Sequence, residues 1–191
     1  MGGRRSKNIE LKKGLYIIGE GITEQYYFTH LKHLKNYKCV VKPRFFGKTD
    51  IAKIAKQVQN LLLGDITVIC VFDADVSQRN KVENIKFQQF KKKYAKNKNV
   101  IICDSLPSIE FWFLLHFNQT NKSFSNSKAV ESELKKHINK YSKNKTFLAK
   151  SGWVNHLINQ LDNAVSNAQR LDIEEGASYS NIYKAILKLE E

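Results

Sequence analysis

The run Ile66-Thr-Val-Ile-Cys-Val-Phe72 is short, apolar and rich in β-branched residues, and it stops at Asp73-Ala-Asp75. Such a run predicts a strand buried on both faces, as in a parallel sheet covered by helices. In open α/β sheets, ligands bind outside the carboxyl ends of the strands, and both aspartates stand at that edge. Side chains alternate along a strand, so residues 73 and 75 point the same way if the extended geometry persists. Two carboxylates that close repel each other, and a hard divalent cation such as Mg2+ relieves the conflict. The plainer alternative is one helix-capping Asp and one solvated loop Asp.

A second acidic turn lies near the start of the chain. Gly14-Leu-Tyr-Ile-Ile-Gly19 predicts another short buried strand, followed at once by Glu20-Gly21-Ile22-Thr23-Glu24. Gly21 permits a tight turn, and Thr23 is the expected N-cap of a helix running through residues 25–34. Glu20 then stands at the strand's carboxyl end and Glu24 in the first helical turn. Glu24 has an ordinary explanation, because an acid there favours the helix dipole. Glu20 has none.

A third segment repeats the pattern. Residues 99–103 predict a strand, 104–107 a turn, and Ser108 to Phe117 a helix entered just after Pro107. That helix is apolar nearly all round, so it should be buried. Glu110 inside it is costly unless paired or ligating a metal. We expect it to join the acidic cluster in preference to a buried salt bridge. His116 is expected to satisfy a backbone or carboxylate partner in the core.

Elsewhere, residues 39–46 predict a strand, Ile51 to Leu62 a helix, and Asn80 to Lys96 a basic helix with a thin apolar stripe. The order is β-α-β-α-β-α-β-α, which argues for a mainly parallel sheet with helices on both faces. Beyond residue 118 the pattern is helical: 127–143, 152–171 and 180–191, with no convincing strand. The expected organisation is an α/β core over 14–117, a helical C-terminal part over 118–191 packed on the same domain, and a basic tail over 1–13.

Three motifs, taken together and in this order, resemble the RloB-like family over residues 14 to 190. They are Glu20-Gly-Ile-Thr-Glu24 with Tyr26-Tyr-Phe28, Phe72-Asp-Ala-Asp75, and Pro107-Ser-Ile-Glu-Phe-Trp-Phe-Leu-Leu-His116-Phe117. That family is similar to a branch of the Toprim superfamily, found in topoisomerases, primases and overcoming-lysogenization-defect nucleases. Toprim proteins pair a Glu after the first strand with an Asp-x-Asp after a later one, and these acids bind Mg2+. The resemblance therefore implies a Toprim-like fold, with Glu20, Asp73 and Asp75 as catalytic metal ligands. Glu24 falls where many Toprim nucleases carry an additional acid. It also implies a role in bacterial phage defence by abortive infection, beside an ATPase of the RloA or AAA type.

Thirty-two Lys and Arg against eighteen Asp and Glu give a net charge of +14, with lysines clustered at 4–13, 86–98 and 135–150. Such stripes suit a phosphate backbone, although a solvated lysine-rich surface has the same composition. Arg44, Lys48 and Lys150 are candidates for phosphate contacts, chosen by their closeness to strand ends or loops. Three cysteines, at 39, 70 and 103, lack metal-ligand spacing and sit in or beside apolar runs, which suits a reducing, cytoplasmic setting. No apolar stretch is long enough for a membrane span, and the polar first residues lack a signal-peptide core. Gly47-Lys-Thr lacks the glycine-rich lead of a P-loop.

These readings lead to an expected Mg2+- or Mn2+-dependent nuclease acting on DNA or RNA. Glu20, Asp73 and Asp75 would hold the metal, with Glu24 and Glu110 as further ligands or supports. Two groups compete for the nucleophile's proton, Glu20 and a metal-bound hydroxide. Two other classes stay open: a non-catalytic subunit docking nucleic acid or an ATPase, and a phosphatase of the haloacid-dehalogenase type, whose nucleophile motif Phe72-Asp-Ala-Asp75 also resembles.

Overall fold

The structure, a computed structural model, describes residues 14–42, 51–75, 80–120, 122–171 and 177–191. Four parallel strands, β1 (Gly14–Gly19), β2 (Val40–Lys42), β3 (Ile66–Asp73) and β4 (Val100–Leu106), join a short antiparallel β5 (Tyr179–Ser180). The sheet order is β2-β1-β3-β4-β5. The chain is thus α/β, with a mostly parallel sheet between helices. Residues 43–46 of the expected strand and the expected break at 47–50 lie outside the described residues.

β3 is central because its sequence has no polar face. Val68, Ile69, Cys70, Val71 and Phe72 are each at most 2% exposed. Their alternation feeds two cores. Ile69 and Val71 join Ile17 and Cys103 under α1 (Ile22–Lys35) and α4 (Ile109–Leu114). Val68, Cys70 and Phe72 join Ile18 under α2 (Ile51–Leu61) and α3 (Lys81–Tyr94). Each fully buried side chain of this size contributes roughly 1.5–3 kcal/mol, so this strand alone anchors both layers. The three thiols are free and buried, and burial pushes that of Cys103 up to about 12.

The helical part after residue 118 is shorter in its pieces than its periodicity predicts. The expected helix over 127–143 stops as α5 (Ser127–Leu134), and Lys140 takes a left-handed backbone with φ 57°. The expected helix over 152–171 divides into α7 (Gly152–Ile158) and α8 (Leu161–Gln169), because Gln160 leaves the helical region. Buried positions Val154, Leu157, Leu161, Ala164 and Ala168 keep one apolar stripe across that break. Between α5 and α7 lies the short α6 (Lys145–Leu148). The last helix, α9 (Tyr183–Glu190), packs Ile186 into the same core as Ile17 and Phe111. No helix among the described residues is long and apolar enough to cross a membrane.

β5 corrects the expectation that this part lacks a strand. It forms through polar groups. Asp104 on β4 accepts hydrogen bonds from Tyr179 Oη at 3.0 Å and Asn181 Nδ2 at 2.7 Å, and pairs with Lys91 Nζ at 3.0 Å. Ser105 and Ser180 hydroxyls meet at 2.8 Å. The helix expected from Thr23 instead starts two residues earlier, with Gly21 at the N-cap and no side-chain cap, so Thr23 is a buried first-turn residue.

His116 is buried and its Nδ1 donates to Trp112 O at 3.0 Å, while its Nε2 has no protein partner. Burial holds its pKa down from 6.5 to about 4. The unfolded chain therefore binds more protons than the folded one between those values, so stability must fall as pH drops through that window. The loss attributable to this group is on the order of 3 kcal/mol. Urea unfolding of wild type and His116→Asn at pH 7 and pH 4.5 should show a clearly smaller acid loss in the variant.

Candidate active site

The acids gather at the carboxyl ends of β1 and β3. Glu20 follows β1 directly, and its N–H extends the ladder to Val71 O at 3.1 Å. Its Oε2 accepts from the Asp73 backbone N–H at 3.3 Å, so the acid from one strand meets the end of the next. Asp73 in turn accepts at Oδ1 from the N–H of Ile109, the first residue of α4, at 2.8 Å. Ser108, the N-cap of that helix, makes no capping bond with its side chain. Its hydroxyl donates instead to Glu110 Oε2 at 2.6 Å.

Glu24 is 2% exposed in the first turn of α1. The chain must lack side chains nearby to admit it. A Cβ at Gly21 would stand 2.3 Å from Glu24 Oε2, and one at Gly19 would stand 2.8 Å from Glu24 Cβ. The two glycines flanking Glu20 thus make room for the second acid.

Asp75 is buried and its N–H donates to Pro107 O at 3.3 Å. The strand ends at Asp73 and residues 74–75 are helical, so the argument that 73 and 75 share a strand face does not hold. The turn after β4 holds Asp75 by its backbone, which brings the second and third motifs together by another route.

Glu110 is fully buried, and a salt bridge forms there. Lys143 Nζ lies 2.9 Å from Oε2, and Tyr141 Oη donates to Oε1 at 2.9 Å. Both oxygens are engaged, counting Ser108. The carboxylate still acts on the cluster, because its charge raises the pKa of Glu24 and of Asp73. Sequence reasoning missed Lys143 and Tyr141. They sit in a lysine-rich stretch with nothing local to distinguish them.

Burial, together with the charges of Glu110 and Glu20, pushes Glu24 up from 4.5 to about 7, against the pull of a backbone hydrogen bond and Lys143. Asp73 is raised well above 3.8 by burial and by Glu24, Glu110 and Glu20, again opposed by Lys143. Burial disfavours the Lys143 ammonium, but Glu110, Asp73 and Glu24 outweigh it and hold its pKa up. These are two acids short of positive charge and one lysine that supplies part of it.

A family model described as RloB-like protein matches residues 15–189. The chain belongs to the RloB-like family. No curated protein and no solved structure matches it. In this RloB-like protein the match spans all three acidic motifs and the segment that delivers Lys143.

The donor set fits a hard divalent cation in its chemistry: carboxylate oxygens, two of them disfavoured as anions where they stand. Among the described residues, however, no three acid, cysteine or histidine side chains are placed to hold one ion without rearrangement. Of the expected phosphate contacts, Lys150 is exposed just before α7, and Arg44 and Lys48 lie outside the described residues.

Lys143→Met tests this electrostatic account. A fully buried pair broken on one side costs about 3–5 kcal/mol. Lys143 is 36% exposed, which reduces the expected cost to about 1–3 kcal/mol. Because the folded Glu24 keeps its proton from 4.5 to about 7, the unfolded chain binds fewer protons there and stability falls as pH rises. The variant should extend that decline above pH 7, measured by urea unfolding in a chelator from pH 5 to 8.

Proposed function

We propose that this RloB-like protein is a Mg2+-dependent nuclease of the Toprim type, hydrolysing a phosphodiester bond of DNA or RNA in phage defence beside an ATPase partner. The observation that carries the reading is the junction of Glu20, Glu24 and Asp73 at one sheet edge, with Glu24 and Asp73 held as unfavourable anions. In a cleft of an α/β sheet, acids perturbed by burial and by one another mark a functional site.

Glu20, Asp73 and Asp75 would hold the cation with Glu24 beside them. The cation would neutralise charge on the scissile phosphate and favour deprotonation of the attacking water. Asp73 is oriented for this by the Ile109 N–H, and Glu20 by the Asp73 N–H. Glu110, with both oxygens engaged, serves by holding Lys143 and Tyr141 against the cluster. Lys143 places a positive charge where a phosphate would approach.

One observation favours a competing reading, a subunit that docks nucleic acid or an ATPase without cutting. It is that no three ligating side chains stand ready for an ion among the described residues. Calorimetry with Mg2+ and with Mn2+ separates the two. The nuclease reading expects binding that Asp73→Ala and Glu20→Ala each weaken at least about tenfold, or 1.4 kcal/mol, with folding intact. Folded wild type that binds neither ion, even with nucleic acid present, removes the nuclease reading and leaves the docking one.

A further inference from the structure

Of the lysine-rich stretches among the described residues, the one ending near residue 150 is physically tied to the acid cluster. Tyr141 and Lys143 both end on Glu110. Two residues after Lys143 the chain enters α6, whose Leu148 carbonyl accepts from His30 on α1 at 2.8 Å and from Trp153 Nε1 at 3.3 Å. The same stretch is held by rings, with Tyr141 5.5 Å from Phe147 and 6.1 Å from Trp153. It is therefore a fixed wall beside the helix that carries Glu24, rather than a loose basic loop.

The lysines on this wall are arranged unevenly. Lys135 and Lys136, before it, pair with Glu131 and Glu133. Lys140, Lys145 and Lys150 are exposed and make no ion pair among the described residues. Lys140 adjoins Tyr141, so its Cα is about 3.8 Å from that anchor, and Lys145 is within about 7 Å of Lys143 along the chain. Two uncommitted cations thus flank the point where the segment meets the acid site. By contrast, the lysines of α3 cover the other face of the sheet, where Phe87 and Phe90 pack, and Lys91 is committed to Asp104.

We infer that residues 140–150, pinned to Glu110 by Tyr141 and Lys143, are the phosphate-binding wall of the acid site, with Lys140 and Lys145 gripping a nucleic-acid backbone on either side of the reacting phosphate. This rests on the nuclease reading and names the surface that presents the substrate. The wall reads charge and spacing along a phosphodiester chain, so it recognises a polyanion without base specificity.

The test is fluorescence-anisotropy binding of the full chain to a labelled single-stranded oligonucleotide, as DNA and as RNA, in Ca2+ over a salt series. Lys140→Ala/Lys145→Ala should weaken binding by on the order of tenfold per lysine and lower the salt slope by about two. The control is Lys53→Ala/Lys56→Ala, the same charge change at exposed positions of α2 on the far face. It should bind as wild type does. A larger loss with RNA or with DNA identifies which polymer the wall prefers. Equal losses in both double variants, or none in the first, overturn the wall while the nuclease reading stands. A wild type that binds neither polymer overturns both.

Discussion

The Glu110 carboxylate fixes the arrangement of this protein's acid-bearing edge. It is fully buried, and an isolated charge there would cost several kcal/mol. Ser108, Tyr141 and Lys143 satisfy it, and two of these come from a segment with little apolar content of its own. That one acid therefore ties the turn after β4 to the connection between α5 and α6. The aromatic packing of Tyr141 with Phe113, Phe147 and Trp153 is built around the same anchor. The edge of the sheet, the first turn of α1 and the lysine-bearing wall meet because Glu110 requires partners.

The sequence made the core elements legible wherever one hydrophobic period ran uninterrupted. β1 and β3 are short apolar runs because they are covered on both faces, and α2 shows helical spacing because only one face is covered. The acids Glu20, Glu24 and Asp73 were legible as a group because each follows such an element closely. What could not be read was whatever polar tertiary contacts decide. β5 exists through Asp104, Ser105 and their partners, and no apolar pattern announces it. Lys143 looks like any other lysine of its stretch until its ammonium meets Glu110. Asp75 was placed by assuming that a strand continues, whereas the chain turns helical after Asp73.

A comparison of two neighbouring strands explains why the acid edge reads as functional. Asp104 and Asp73 lie on paired strands, in register with Phe72 and Ser105 respectively. Asp104 receives a lysine, a tyrosine hydroxyl and an asparagine amide, and these overcome its burial so that its pKa is lowered. It strengthens the fold as an anion above its unfolded pKa, and that contribution is lost only as acid titrates it. Asp73 receives a backbone N–H, yet burial and three nearby carboxylates raise it. One aspartate is completed by the fold and the other is left wanting positive charge.

That contrast occurs in a chain of net charge +14, where lysines are abundant. A sequence with so many cations has the means to neutralise a second buried acid as it neutralises Asp104. Instead, one lysine is shared among Glu110, Asp73 and Glu24, and two glycines clear space to bring Glu24 closer still. Stability alone would favour removing Glu24 and Asp73, since their raised pKa values make the fold less stable as pH rises toward neutrality. Local rules broken in concert, at the carboxyl edge of a parallel sheet, are what the proposed function would require of these acids, at the expense of stability. Under the proposed function, a divalent cation would supply the positive charge that Lys143 only partly provides.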